Sequence, residues 1–257
     1  MSETITRIDE NFWNIRGKFK IAGMLDVGTQ ASLIRLPSGK FLFLDSYSLT
    51  PDMQREIYSL TEGGKAVEAI LNLHPFHTLH CDTMAAMFPQ AKLYGSARHK
   101  RKCPDLKWET PHVESQEVCD LYGDVLDFTL PRGVDYISDD ENVHFSSLMA
   151  YHKPSRTIHV DDTLTYFDLP KPISLILPSP KIGFHPTLAK ALEQRPGAAR
   201  DFLNWAQDMA KSWHDATTIC AAHSGIAKIE PESFPQKISE ALEKLQGKLE
   251  KHRAKFG

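Results

Sequence analysis

No stretch of this chain reaches the roughly 18 consecutive apolar residues that a membrane-spanning helix needs, so no span is expected. Residues Met1 to Glu10 are polar and mixed in charge, and lack the apolar core of a signal peptide. Cysteine is scarce. Cys81, Cys103, Cys119 and Cys220 form no CxxC pair and no dense framework, which excludes a disulfide scaffold and fits free thiols in a reducing cytoplasm. Charge of one sign is scarce too. A net charge of -3 gives no electrostatic case for nucleic acid or an anionic membrane. The one basic run, Arg98-His99-Lys100-Arg101-Lys102, reads as a solvated loop. There is no internal repeat and no low-complexity tract.

The 257 residues, 41% hydrophobic and 25% charged, suffice for a substantial core in one large domain or two small ones. One stretch stands out: Leu71-Asn72-Leu73-His74-Pro75-Phe76-His77-Thr78-Leu79-His80-Cys81-Asp82. It begins as a buried strand, Val67 to Leu73. Three histidines then follow at intervals of three, with a thiol and a carboxylate close behind. Imidazole, thiolate and carboxylate are the usual protein ligands of zinc and related metals, and core packing does not call for so many at a strand end. Pro75 stops the strand, which puts the cluster on a loop and the first turn of a helix. On a helix His77 and His80 would share a face.

Around this stretch the first half alternates strand and helix, the α/β pattern. Ala31 to Leu36, the turn Pro37-Ser38-Gly39-Lys40, and Phe41 to Leu44 running into Asp45 read as paired strands. Thr50-Pro51 opens a helix with Met53, Ile57 and Leu60 on its buried face, ended by Gly63-Gly64. Met84 to Phe88 reads as a short helix, Ala91 to Gly95 as a strand, and residues 99 to 117 as irregular. Later come strands at Leu126 to Leu130, Val143 to Tyr151, Thr157 to Val160 and Thr217 to Ala222. Residues 165 to 186 are rich in proline and give no clear pattern. Helices are expected at Ala198 to Lys211 and from Pro235 to Lys251, each with an apolar stripe.

Three more polar groups fall at strand ends in this reading. His144 opens a strand after Ser138-Asp139-Asp140-Glu141, Asp162 closes one, and His223 closes another. Aligned in a sheet, such groups converge on one edge. His152, His159, His185 and His214 read as surface or packing residues, with His185, in Gly183-Phe184-His185-Pro186, the best spare ligand.

These residues resemble the metallo-beta-lactamase superfamily, over roughly Phe19 to Ile226. Val27 to Ile34 and Gly39 to Asp45 look like its opening strands and their closing Asp. Leu71-Asn72-Leu73-His74 looks like the strand that leads into its metal motif, and Phe88 to Tyr94 like the next strand entry. Val160-Asp161-Asp162-Thr163-Leu164 is similar to the Gly-Asp-x-Leu segment whose Asp bridges two metals, which maps to Asp162. His144 matches the histidine one strand earlier, and Ala221-Ala222-His223-Ser224-Gly225 the closing one. The resemblance implies an α/β (α+β) fold, a four-layer αββα sandwich of two mixed sheets, as a single domain spanning residues 1–257.

The central motif departs from the family's His-x-His-x-Asp-His. One register, with an extra residue, maps His77, His80 and Asp82 onto the first three ligands and leaves Thr83 in place of the last histidine. A second fixes His74 and leaves Phe76, Thr78 and Leu79 at the other positions. A third resembles a divergent branch with a lone histidine about eleven residues before Phe-Pro, here His77 before Phe88-Pro89; it aligns without gaps. The resemblance implies a metal-dependent hydrolase acting on an ester, amide, thioester or phosphoester. Its metal ligands would come from His74, His77, His80, His144, Asp162 and His223, and Asp82 is the only candidate to orient the attacking water. With Thr83 or Leu79 at the second metal's histidine, one zinc ion rather than two is expected, on the His144 side; iron or manganese would also suit such donors. The rival expectation is a non-catalytic member with a degenerate metal site, acting as a binding or structural module. A di-iron protein like the flavodiiron branch would need more carboxylate and a flavodoxin domain.

Overall fold

The computed structural model describes residues 3–21, 25–167 and 181–257. Its strands are β1 (Thr4–Asp9), β2 (Phe12–Gly17), β3 (Lys20–Ile21), β4 (Leu25–Asp26), β5 (Thr29–Arg35), β6 (Phe41–Leu44), β7 (Val67–Leu71) and β8 (Lys92–Tyr94), then β9 (Leu126–Thr129), β10 (Met149–His152), β11 (Thr157–Val160), β12 (Leu164–Phe167), β13 (Lys181–Phe184), β14 (Thr218–Ala221) and β15 (Gly225–Lys228). The helices are α1 (Pro51–Leu60), α2 (Cys81–Met87), α3 (Ala97–Lys102), α4 (Gln116–Leu121), α5 (Leu188–Ala191), α6 (Ala198–Ser212), α7 (Phe234–Glu243) and α8 (Gln246–Phe256). Among the described residues no helix is long and apolar enough to cross a membrane.

The chain forms two compact units. The first comprises Met1–Asp127 with Lys153–Ser155, the second Phe128–His152 with Arg156–Gly257. The first holds a six-stranded sheet in the order β1-β2-β5-β6-β7-β8, antiparallel up to β6 and parallel from there. Alternation decides what each face carries. Trp13, Ile15, Ala31, Leu33, Phe41 and Phe43 meet Met53 and Ile57 of α1 and Met84 of α2 in one apolar core. The alternate residues of β2 and β5 form a buried polar network: the Asn14 side-chain amide donates to Gln30 Oε1 (3.0 Å) and Ser32 Oγ (3.1 Å), and Arg16 also donates to Gln30 Oε1 (3.0 Å). Pairing keeps these groups satisfied out of water.

The second unit's sheet runs β15-β14-β11-β10-β9, with β11 and β14 parallel and the pairs on either side of them antiparallel. Met149, Tyr151, Ile158, Val160, Ile219 and Ala221 share a core with Phe202, Trp205 and Met209 of α6 and with Phe234, Ile238 and Leu242 of α7. The opposite face carries His152, Thr157, His159, Thr218 and Cys220, all buried. Each unit is thus a mixed sheet covered by helices. The chain has the two large mixed sheets and flanking helices of the expected class.

Several local expectations are corrected. Thr4–Asp9 and Phe12–Gly17, for which the sequence reading assigned no element, form β1 and β2, with Phe12, Trp13 and Ile15 buried. Residues 99 to 117 are not irregular throughout: α3 and α4 lie there. The helix from Pro235 is two helices, since Leu245 N donates to Leu242 O in a tight i→i−3 turn (2.9 Å) that interrupts the regular ladder just before Gly247. Of the stretch 165 to 186, residues 168–180 lie outside the described residues; the flanks form the β12–β13 pair.

Candidate metal centre

In the first unit the histidine stretch leaves β7 through a set of fixed contacts. Asp45, in the left-handed region at φ 60°, accepts from Leu73 N at 2.8 Å. The Asn72 amide donates to Tyr94 O (3.0 Å) and its carbonyl accepts from Ser46 Oγ (2.7 Å). His74 follows, with no exposed surface. Residues 74 to 80 form turns, and α2 starts only at Cys81, so His77 does not share a helical face with His80. Instead His77 stacks on His74, with ring centroids 4.1 Å apart and planes 18° from parallel, and a ring nitrogen of each lies within 4.8 Å of the other. His74 Nδ1 accepts from Phe76 N at 3.1 Å, so the neutral ring carries its proton on Nε2.

His80 contacts Ser48 Oγ through Nδ1 (2.9 Å) and meets the edge of Tyr47. Its Nε2 is buried and has no hydrogen-bond partner. Burial first, and the neighbouring His77 second, lower its pKa. A ring kept neutral in this way keeps a lone pair for a metal. Asp82 is exposed in the first turn of α2 and borders a groove of about 390 Å³ with Ala86, Lys92, Asp105 and Lys107, which none of the histidines lines. Leu79 is 69% exposed.

The basic run that reads as a solvated loop is helix α3, and it grips this stretch. Arg98 is buried; it donates to Pro75 O at 3.0 Å and lies 4.2 Å over the ring of Phe76. His99 is fully buried and completes a capping box, its Nδ1 accepting from Ser96 N at 3.1 Å. Burial, then the charges of His74, His77 and Arg98, push its pKa down to about 3, against a smaller opposing effect of the His77 backbone. Only the i to i+3 spacing of Ser96 and His99 hinted at this role in the sequence.

The second unit brings together Asp162 and His223. Asp162 follows β11, and His223 lies in the turn between the parallel neighbour β14 and β15. Register therefore places them side by side, with His223 Nε2 3.1 Å from Asp162 Oδ1. The carboxylate is almost wholly buried, while the histidine side chain is 22% exposed and open to a ligand. His144 does not open a strand, because β10 starts only at Met149. It is half-buried, and its Nε2 donates to Glu141 O at 2.6 Å, which leaves the lone pair on Nδ1. His185 is also half-buried. Desolvation lowers its pKa most; Asp162 raises it, and His223 and His144 lower it. Asp162, His223 and His144 of the same unit are thus all felt at His185. Deeper in the same sheet, buried His159 and Asp161 have donor atoms within 4.8 Å, and Cys220 is the cross-strand partner of His159.

No protein-family model and no curated protein matches the chain. Solved structures do. A metallo-beta-lactamase from Erythrobacter litoralis aligns at TM-score 0.59, covering 94% of this chain and 96% of that one. The chain has the metallo-beta-lactamase fold. Metallo-beta-lactamases from Pontibacter korlensis (TM-score 0.55, 95% and 98% covered) and Hirschia baltica (0.56, 93% and 96%) are similar to it in the same way. Identities of 12%, 12% and 11% make this a divergent form of the metallo-beta-lactamase fold.

The donors that Asp162 and His223 bring side by side are of kinds that can hold a divalent metal. Carboxylate and imidazole are zinc's oxygen and nitrogen ligands. The Nε2–H of His144 is spent on a backbone carbonyl, the outer hydrogen bond that a metal-bound histidine usually makes.

Proposed function

We propose that this chain is a metal-dependent hydrolase-like protein that holds one zinc ion through His144, Asp162 and His223 and acts on a small-molecule ester, amide, thioester or phosphoester. The observation that carries the reading is the 3.1 Å approach of His223 to a buried Asp162 at the ends of two parallel strands. Bound there, zinc would supply a water acidified toward neutrality and a Lewis acid for the scissile bond. His144 would bind through Nδ1, oriented by Glu141 O. His223, 22% exposed where Asp162 is 3% exposed, would face the substrate. His74, His77 and His80 are the donors the first unit offers.

A non-catalytic reading is favoured by one observation: Asp82, the candidate to orient water, is exposed and borders a groove that no histidine lines. The two readings part on measurement. Chain purified without a metal-binding tag should carry one zinc by elemental analysis, lost in Asp162→Asn and in His144→Ala. It should also hydrolyse at least one member of a panel of activated ester, thioester, phosphoester and β-lactam substrates. Stoichiometric zinc without turnover on any of them supports the binding module. Absence of zinc uptake sinks both the metal site and the hydrolase.

A further inference from the structure

We infer that Cys81 and Cys103 are a redox pair: a peroxide closes a disulfide between them, and the bond rearranges the turn that carries His77 and His80. The inference stands apart from the metal reading, because it concerns two thiols of the first unit alone. All four cysteines of the chain are free. Two of them reach the same short stretch of backbone. Cys81 opens α2; its N donates to Thr78 O at 3.4 Å and its Sγ donates to His77 O at 3.8 Å. Cys103 closes α3, and its Sγ donates to Thr78 O at 3.9 Å. The Thr78 carbonyl thus receives Cys81 from one helix and Cys103 from the other. Disulfides join Cα atoms roughly 4.4–6.8 Å apart, the same scale as these two contacts in series.

Other contacts single out this pair. Cys103 is held from behind, where its N donates to His99 O at 2.9 Å and its O accepts from Trp108 Nε1 at 2.8 Å. After burial, the charge of Cys103 is the strongest influence on the Cys81 thiol, ahead of Asp45 and Asp82. Cys119 answers instead to Asp120 and Glu114, and Cys220 belongs to the second unit. Cys103 is half-buried whereas Cys81 has no exposed surface, so the oxidant meets Cys103 first. Its sulfur attacks one oxygen of hydrogen peroxide; the O–O bond breaks, water leaves, and a sulfenic acid remains. The Cys81 sulfur, turned from Asn72 Oδ1 (3.4 Å), then attacks the Cys103 sulfur. The S–O bond breaks, and hydroxide leaves as water with the proton of the Cys81 thiol. The two thiols give up two electrons and two protons, and the peroxide becomes two waters. A dithiol reductant reverses the bond and is itself oxidised. Closing it removes the thiol donors that serve His77 O and Thr78 O. The ring of His77, stacked on His74, is carried by that backbone and shifts with it.

The test is a cross-link map of the full chain. Fully reduced protein, freed of reductant, is treated with hydrogen peroxide, quenched, alkylated and digested without reduction. Mass spectrometry should find the Cys81 peptide joined to the Cys103 peptide, and the thiol count in denaturant should fall from four to two. A dithiol should restore the full count. Cys81→Ala should leave Cys103 as a sulfenic acid that dimedone traps, whereas Cys103→Ser should keep Cys81 a thiol at the same dose. Histidine ring resonances followed by NMR should shift on oxidation of the wild type and stay in place in Cys103→Ser. If either variant does not fold, the wild-type map and its resonances decide. A full thiol count after a dose that oxidises free glutathione overturns the pair. So does a bond through Cys119 or Cys220, or a Cys103 sulfenic acid that persists beside a free Cys81. A Cys81–Cys103 bond with unmoved histidine resonances overturns the effect on the turn.

Discussion

His99 has no exposed surface although it lies in the most basic run of the chain. Nothing in Arg98-His99-Lys100-Arg101-Lys102 distinguishes its second member by composition. Burial is a tertiary fact, created when α3 closes on Pro75 and Phe76. Its consequence is measurable. In the unfolded chain a histidine titrates near 6.5, whereas folded His99 does so at about 3. Between these values the unfolded state binds a proton that the folded state does not. The stabilisation is therefore complete above about pH 6.5 and is lost as pH falls, by about 3 kcal/mol at pH 4. The lowered pKa of His80 works in the same sense. His99→Asn keeps an acceptor for Ser96 N but cannot titrate. Urea midpoints recorded from pH 7 down to 4.5 should fall less steeply in this variant than in the wild type; equal slopes would show that His99 is not the titrating group.

The segment that carries His144 shows how one side chain can redirect an element. Alternation and apolar content over Val143 to Tyr151 predict a strand, yet the ladder begins only at Met149. Thr163 takes the earlier backbone groups: its hydroxyl donates to Phe145 O (2.9 Å) and accepts from Ser147 N (3.2 Å). Such local bonds compete with the sheet ladder. Thr163→Val has the same shape but leaves both buried backbone groups without this partner. It should cost about 1–3 kcal/mol of stability, seen as a lower thermal midpoint, and should weaken zinc binding because the backbone leading from His144 loosens. A variant as stable as wild type would mean that other groups hold residues 145 to 147. By contrast, α1 was fully legible: Thr50 caps it by accepting from Met53 N, Pro51 fills the first position, and Met53 and Ile57 face inward.

At the scale of the molecule each unit owns its apolar core, and the proposed ion lies within the second. Zinc that binds only the folded state adds stability by mass action, about 2.7 kcal/mol at a free concentration one hundred times Kd. For a chain of this size that corresponds to a rise in Tm of about 5 to 10 °C, reversed by a chelator. Hydrogen exchange should slow on zinc addition at residues 162–164 and 222–225. A Tm indifferent to zinc and chelator, or protection confined to the first unit, would place any binding elsewhere.

Local order determined much of this protein. Turn residues, caps and apolar periodicity marked β5, β6, α1, β7, β11 and α6. The chemistry of the donors marked Asp162 and His223 as strand-end groups before any coordinates, because a strand's end is a local property. What the sequence could not carry is neighbourhood. That His185 stands across from Thr163 depends on strands separated by the 13 residues 168–180, and that His99 lies beneath His77 depends on helix packing. That Asp82 turns outward depends on where α2 begins, one residue before it. Each of these follows from pairing and packing between segments distant in the chain, and those contacts exist only once the sheets and their cores have formed.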